Sequence, residues 1–143
     1  MKRTSLVLGA CVLAGVFAYL FKPITPTEDG ASSTQSQGGS MVAVKMPVIE
    51  GNAAIGQRIF EKTCATCHGL AGGGIEGAGP PLIHIIYEPG HHGDESFQRA
   101  VALGVKSHHW GFGDMPPIEG LTRGDVAMII AYIRDVQLAN GIN

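Results

Sequence analysis

The sequence predicts an all-α domain with long loops, reached through an apolar N-terminal segment and a polar tether. Three observations predict it. Three stretches carry apolar residues at helical spacing, glycine and proline crowd the intervals between them, and no stretch sustains the apolar–polar alternation of a half-buried strand. At 143 residues the chain has room for one small domain, and only about its last hundred residues look globular.

Residues 1–22 form the first division. Met1-Lys2-Arg3-Thr4 precedes an uncharged run from Ser5 to Phe21, which ends at Lys22-Pro23. Seventeen helical residues rise roughly 25 Å, the short end of a membrane span. Lys2 and Arg3 favour an N-terminus left in the cytoplasm and export of the rest of the chain. A retained anchor is the reading adopted, because no small-residue cleavage site follows the apolar run. Two others stay open. A cleaved signal would use Val16-Phe17-Ala18, and a lipoprotein signal would use Cys11 in Leu8-Gly9-Ala10-Cys11. All three place the domain on the outer side of the cytoplasmic membrane, facing the periplasm.

Residues 23–45 are rich in Pro, Thr, Ser, Gln and Gly and read as a flexible linker. About 25 such residues would span roughly 25 to 30 Å. The third division, 46–143, is the folded domain. It has six Lys or Arg against ten Asp or Glu, so its net charge is 6 − 10 = −4. With no basic run anywhere, a nucleic-acid role has no electrostatic footing.

Within that domain Asn52 is expected to cap a first helix over 53–63, with Ile55, Ile59 and Phe60 on one face. Gly72, Gly73, Gly74, Gly77 and Gly79, followed by Pro80-Pro81, demand a loop. Asp94 is expected to cap a helix over 95–103 that stops at Gly104. Gly111, Gly113, Pro116 and Pro117 forbid regular structure around Met115. A last helix starts at Thr122, with Asp125 in its first turn and Val126, Ile129, Ile130 and Ile133 at i, i+3, i+4 and i+7; Asn140-Gly141 ends it. So many glycines leave a thin core, which a large apolar cofactor would complete.

The chemistry lies in Cys64-Ala65-Thr66-Cys67-His68. In C-x-x-C-H two thiols add to the vinyl groups of haem and the adjacent imidazole faces the iron as an axial ligand. A thioredoxin-like redox pair would want a strand before the cysteines, where a helix is expected. A zinc site would want further ligands at suitable spacing, and the domain has no other cysteine. One covalent haem c is therefore expected, held by Cys64, Cys67 and His68.

From Gly51 to Asn143 the sequence resembles the class I c-type cytochromes, of the membrane-anchored bacterial kind. Gly56 and Phe60 stand eight and four residues before Cys64, as in that family's first helix, and Ile129-Ile130-Ala131-Tyr132-Ile133 is similar to its last, which in the family crosses the first where the glycine permits close approach. Gly79-Pro80-Pro81-Leu82 is similar to the segment whose proline carbonyl accepts the proximal histidine's ring N–H, so the resemblance gives Pro80 the task of orienting His68. Met115, in Gly113-Asp114-Met115-Pro116-Pro117, resembles the family's distal Met-Pro loop, and no other methionine is well placed. Met115 is thus the expected sixth ligand, with His108 or His109 the alternative. For Trp110 the resemblance implies haem-pocket packing with its indole N–H toward a propionate, although its spacing from Met115 departs from the family's. His91-His92 and His108-His109 form two pairs of a kind that binds copper or zinc. They read here as surface or haem-edge imidazoles without a metal, and His84 as a structural histidine.

With histidine and methionine both on the iron, no coordination site is open to a substrate. The expectation is a single-electron carrier and not an enzyme. It would exchange electrons with donor and acceptor redox proteins of the membrane, near which the tether holds it. The rival readings are a haem subunit fixed in a larger oxidoreductase complex and a haem-based ligand sensor.

Overall fold

A computed structural model describes residues 39–143. The expected membrane segment and the first part of the linker lie outside these residues. The described elements are α1 (Gly51–Thr63), α2 (Ala65–His68), α3 (Asp94–Leu103) and α4 (Arg123–Ala139), with a 3₁₀ turn at Ile85–Tyr87. Among the described residues, extended pairing is limited to the isolated bridges Ser40–Ile75, Ile75–Gly79 and Val105–Met115, so the domain is all-α. No described helix is long and apolar enough to cross a membrane.

α4 begins as its sequence demands. The Asp125 amide donates to Thr122 Oγ1 at 3.2 Å, and the Thr122 amide donates back to Asp125 Oδ2 at 2.8 Å, closing a capping box. The other two starts differ from expectation. α1 opens two residues earlier, with Glu50 at the cap position and no side-chain cap, so Asn52 lies inside the first turn. α3 is capped by Gly93, and Asp94 is its first helical residue; Asp94 and Glu95 meet the positive end of the helix with charge instead of a cap bond.

The buried face of α1 also corrects the sequence reading. Ala53, Gly56 and Phe60 are buried, whereas Ile55 is 37% exposed and Ile59 only partly covered. The reason is the crossing of α1 over α4. A methyl group on Gly56 would lie 1.8 Å from the Met128 carbonyl oxygen, so the two backbones touch here and the position admits no side chain. Beside it Phe60 packs on Tyr132, with ring centroids 5.4 Å apart, and both are buried with Ile129, Ile133 and Val136. The Tyr132 hydroxyl donates to the Leu70 carbonyl at 3.2 Å; burial, aided by the Glu61 charge, pushes its pKa up to about 12, so it remains a neutral donor.

The expected boundary at residue 46 falls inside packed chain. Met41 and Val42 donate their amides to the carbonyls of Gly74 and Gly73, Val44 is buried, and Lys45 exchanges two hydrogen bonds with the Asn140 side chain. Residues 40–45, read as the end of the linker, are therefore part of the domain. At the same end of α4, the Gln137 side-chain amide donates to the carbonyls of Leu82 and Tyr87, and the Arg134 guanidinium donates to the carbonyls of Tyr87 and His92 and to Asp94. These two polar side chains fasten the strand-free loop 82–93 to the helix.

Candidate functional site

Cys64 closes α1 and caps α2, and the backbone turns tightly there: the His68 amide donates to the Cys64 carbonyl at 3.0 Å. One helical turn thus sets Cys64, Cys67 and His68 on one side of the chain. Both cysteines are free thiols, Cys64 half-buried and Cys67 exposed. Burial pushes the Cys64 thiol above its ordinary range, opposed by the Thr63 hydroxyl 3.4 Å from its sulfur, with the neighbouring Cys67 adding to the rise.

His68 Nδ1 lies 2.9 Å from the Pro80 carbonyl oxygen. Burial holds the imidazole below its ordinary pKa, with the Pro80 carbonyl opposing, so near neutral pH the ring is uncharged. Donation from Nδ1–H then leaves Nε2 with the lone pair that a metal ligand needs.

Met115 reaches the site from the other side of the sequence. Its amide donates to the Val105 carbonyl and the Val105 amide donates back, each at 2.9 Å. The bridge requires Gly104 at its start: this residue has φ of 74°, and a methyl group there would lie 2.5 Å from the Met115 carbonyl oxygen. In the sequence Gly104 reads only as a helix stop. Its task of setting the Met115 loop appears once the bridge is seen.

Cys64, Cys67, His68, Pro80 and Met115 all line one cavity of about 670 Å³. That volume lies within the roughly 300–1,000 Å³ of cofactor pockets. The remaining wall is largely apolar, including Phe60, Leu82, Phe97, Val101 and Ile129. Trp110 also lines it, and its indole Nε1 is buried without a hydrogen-bond partner. His92, His108 and His109 stand on the same wall, whereas His84 is turned to a structural task, accepting from the Ile86 amide at 3.2 Å.

The donor set fits haem c. Two thiols and an uncharged imidazole stand within one helical turn, a thioether shares the cavity, and the apolar lining suits a porphyrin face. The unpartnered indole N–H has the polarity that a propionate carboxylate would satisfy.

Comparison with known proteins agrees. The model of the cytochrome c family matches residues 53–137, more than half of the chain, from α1 through the cysteine motif to α4. No curated protein and no solved structure matches significantly. The family carries covalently bound haem c with iron, and its domain implies haem-based electron transfer. With the cysteine motif, the cavity and the crossed terminal helices all within the matched residues, the chain belongs to the cytochrome c family.

Proposed function

We propose that this chain is a single-electron carrier with one haem c, attached at Cys64 and Cys67 and ligated by His68 and Met115. The observation that carries this reading is the placing of both candidate axial side chains, with both thiols, on the walls of one apolar cavity. When bound, the haem supplies a one-electron iron couple.

The chain's own residues tune and protect that couple. His68 is oriented by Pro80, which raises the basicity of its Nε2. The Met115 thioether is neutral and favours the reduced iron, raising the potential. Phe60, Leu82 and Ile129 keep water from the interior. With His68 and Met115 both holding the iron, no coordination site would be left for a substrate, which favours a carrier over an enzyme. The domain's excess of acids over bases favours docking by short-range contacts at the cavity rim over a ring of lysines.

The apolar run from Ser5 to Phe21 is proposed as the anchor that holds the domain at the periplasmic face of the cytoplasmic membrane, within reach of donor and acceptor redox proteins. The tether favours a shuttle over a fixed subunit. A redox titration of the purified protein tests the carrier reading: a reversible one-electron wave with six-coordinate low-spin iron in both states is expected, and five-coordinate iron in either state would refute it.

A further inference from the structure

The domain holds a second cluster of nitrogen ligands that electron transfer does not use. His91, His92 and His109 bring their ligand atoms within 4.8 Å of one another, although the pair and the third residue are far apart in sequence. We propose that these three histidines bind a divalent transition-metal ion, copper(II) or zinc(II), at the wall of the cavity and separate from the iron.

The spacing carries the argument. His91 Nε2 lies 3.4 Å from His109 Nε2. Two imidazole nitrogens at 2.0–2.1 Å from one tetrahedral ion are about 3.3–3.4 Å apart. The wider separations in the cluster are closed by small side-chain rotations, which the exposed rings of His91 and His109 are free to make. The third ligand is already set in its tautomer: His92 Nδ1 lies 2.6 Å from the Ile86 carbonyl oxygen, so Nδ1–H donates there and Nε2 keeps its lone pair. Three neutral imidazoles are a ligand set that suits copper and zinc and discriminates against calcium or magnesium.

Both arms of the site are held by the fold. On one side Arg134 binds the His92 carbonyl at 2.6 Å and the Tyr87 carbonyl at 2.8 Å, and the His91 and His92 amides both donate to the Glu88 carbonyl. On the other, Asp114 accepts from the Ser107 amide and the Lys106 ammonium, and the Ser107 hydroxyl donates to the Trp110 carbonyl. His109 sits inside that second loop. Ligands on two pinned loops lose little freedom on binding, which is the condition for a specific site.

The site does not depend on the haem reading. The test uses the full-length haem-loaded protein, freed of metals by chelator and alkylated so that no thiol competes, titrated separately with Zn²⁺ and Cu²⁺ by calorimetry. Saturable binding of about one equivalent of at least one ion is expected. The His91 side chain does not line the cavity, so His91→Ala should leave the haem spectrum unchanged and weaken metal binding by roughly 10-fold or more, at least the cost of losing an outer-sphere partner. Adding His109→Ala should abolish saturable binding. Failure of wild-type protein to bind either ion, or equal affinity in His91→Ala, would overturn the proposal.

Discussion

His68 Nδ1 and the Pro80 carbonyl oxygen lie 2.9 Å apart, joining the cysteine motif to the loop that succeeds it. The contact fixes the ring before any metal is considered, because it selects the tautomer and the plane of the imidazole together. It also gives the loop after the motif a chemical task beyond closing the cavity.

Pro80→Ala keeps the carbonyl but frees the backbone that aims it. A looser hydrogen bond makes Nε2 a weaker electron donor, so the oxidised iron is less well supported and the reduction potential should rise. Voltammetry of wild type and variant checks this. A potential that falls would show that the carbonyl does not support the oxidised state.

Gly56→Ala tests the helix crossing. Its methyl group would meet the Met128 carbonyl oxygen at 1.8 Å, and that carbonyl is helix backbone that cannot rotate away. Overpacking of this kind costs on the order of 3 kcal/mol. The urea midpoint should fall with little change in slope; an unchanged midpoint would mean the helices separate freely.

Much of this was legible in the sequence because the signals were local. The capping box needs only Thr122 and Asp125, and α4's apolar period is long enough to be unambiguous. The haem motif is five consecutive residues. What escaped was set by contacts between distant segments. The resemblance already points to a close approach at Gly56 but not to the exposure of Ile55, which is 37% exposed because burial on α1 follows that approach and not hydropathy. Val44 reads as the end of a linker since so short an apolar stretch has no period, and its segment finds its partners, the Gly73 and Gly74 carbonyls and the Asn140 side chain, only in the folded chain. Arg134 and Gln137 are polar residues near the C-terminal end of an amphipathic helix, yet Gln137 is fully buried and both hold loop carbonyls. The assembly of His91, His92 and His109 is likewise invisible until the chain folds.

Asp125 predicts a pH dependence. Hydrogen bonds from the Thr122 hydroxyl and amide hold its carboxyl below the ordinary carboxylate range in the folded chain. Between the folded and unfolded pKa values the unfolded chain binds more protons, so this contribution is present above about pH 4 and is lost as pH falls through the folded value. Asp125→Asn removes the titration. Its urea midpoint should fall less steeply than that of wild type between about pH 5 and 3, and parallel profiles would contradict the linkage.

The proposed anchor predicts fractionation behaviour. Washing membranes with concentrated salt should leave the haem protein bound and detergent should release it, since an apolar span is insensitive to screening. Recovery in the soluble periplasmic fraction with a mature N-terminus at or beyond Tyr19 would refute the anchor and leave the carrier reading intact.

The most direct test of the central claim is carbon monoxide binding by the reduced protein, compared between wild type and Met115→Ala. Haem attachment depends on Cys64 and Cys67, so both proteins should retain it under denaturing conditions. With Met115 on the iron, wild type should show no spectral change with carbon monoxide, whereas Met115→Ala should bind it and have a lower reduction potential. Carbon monoxide binding by wild type, or ligation spectra unchanged by Met115→Ala, would contradict the account.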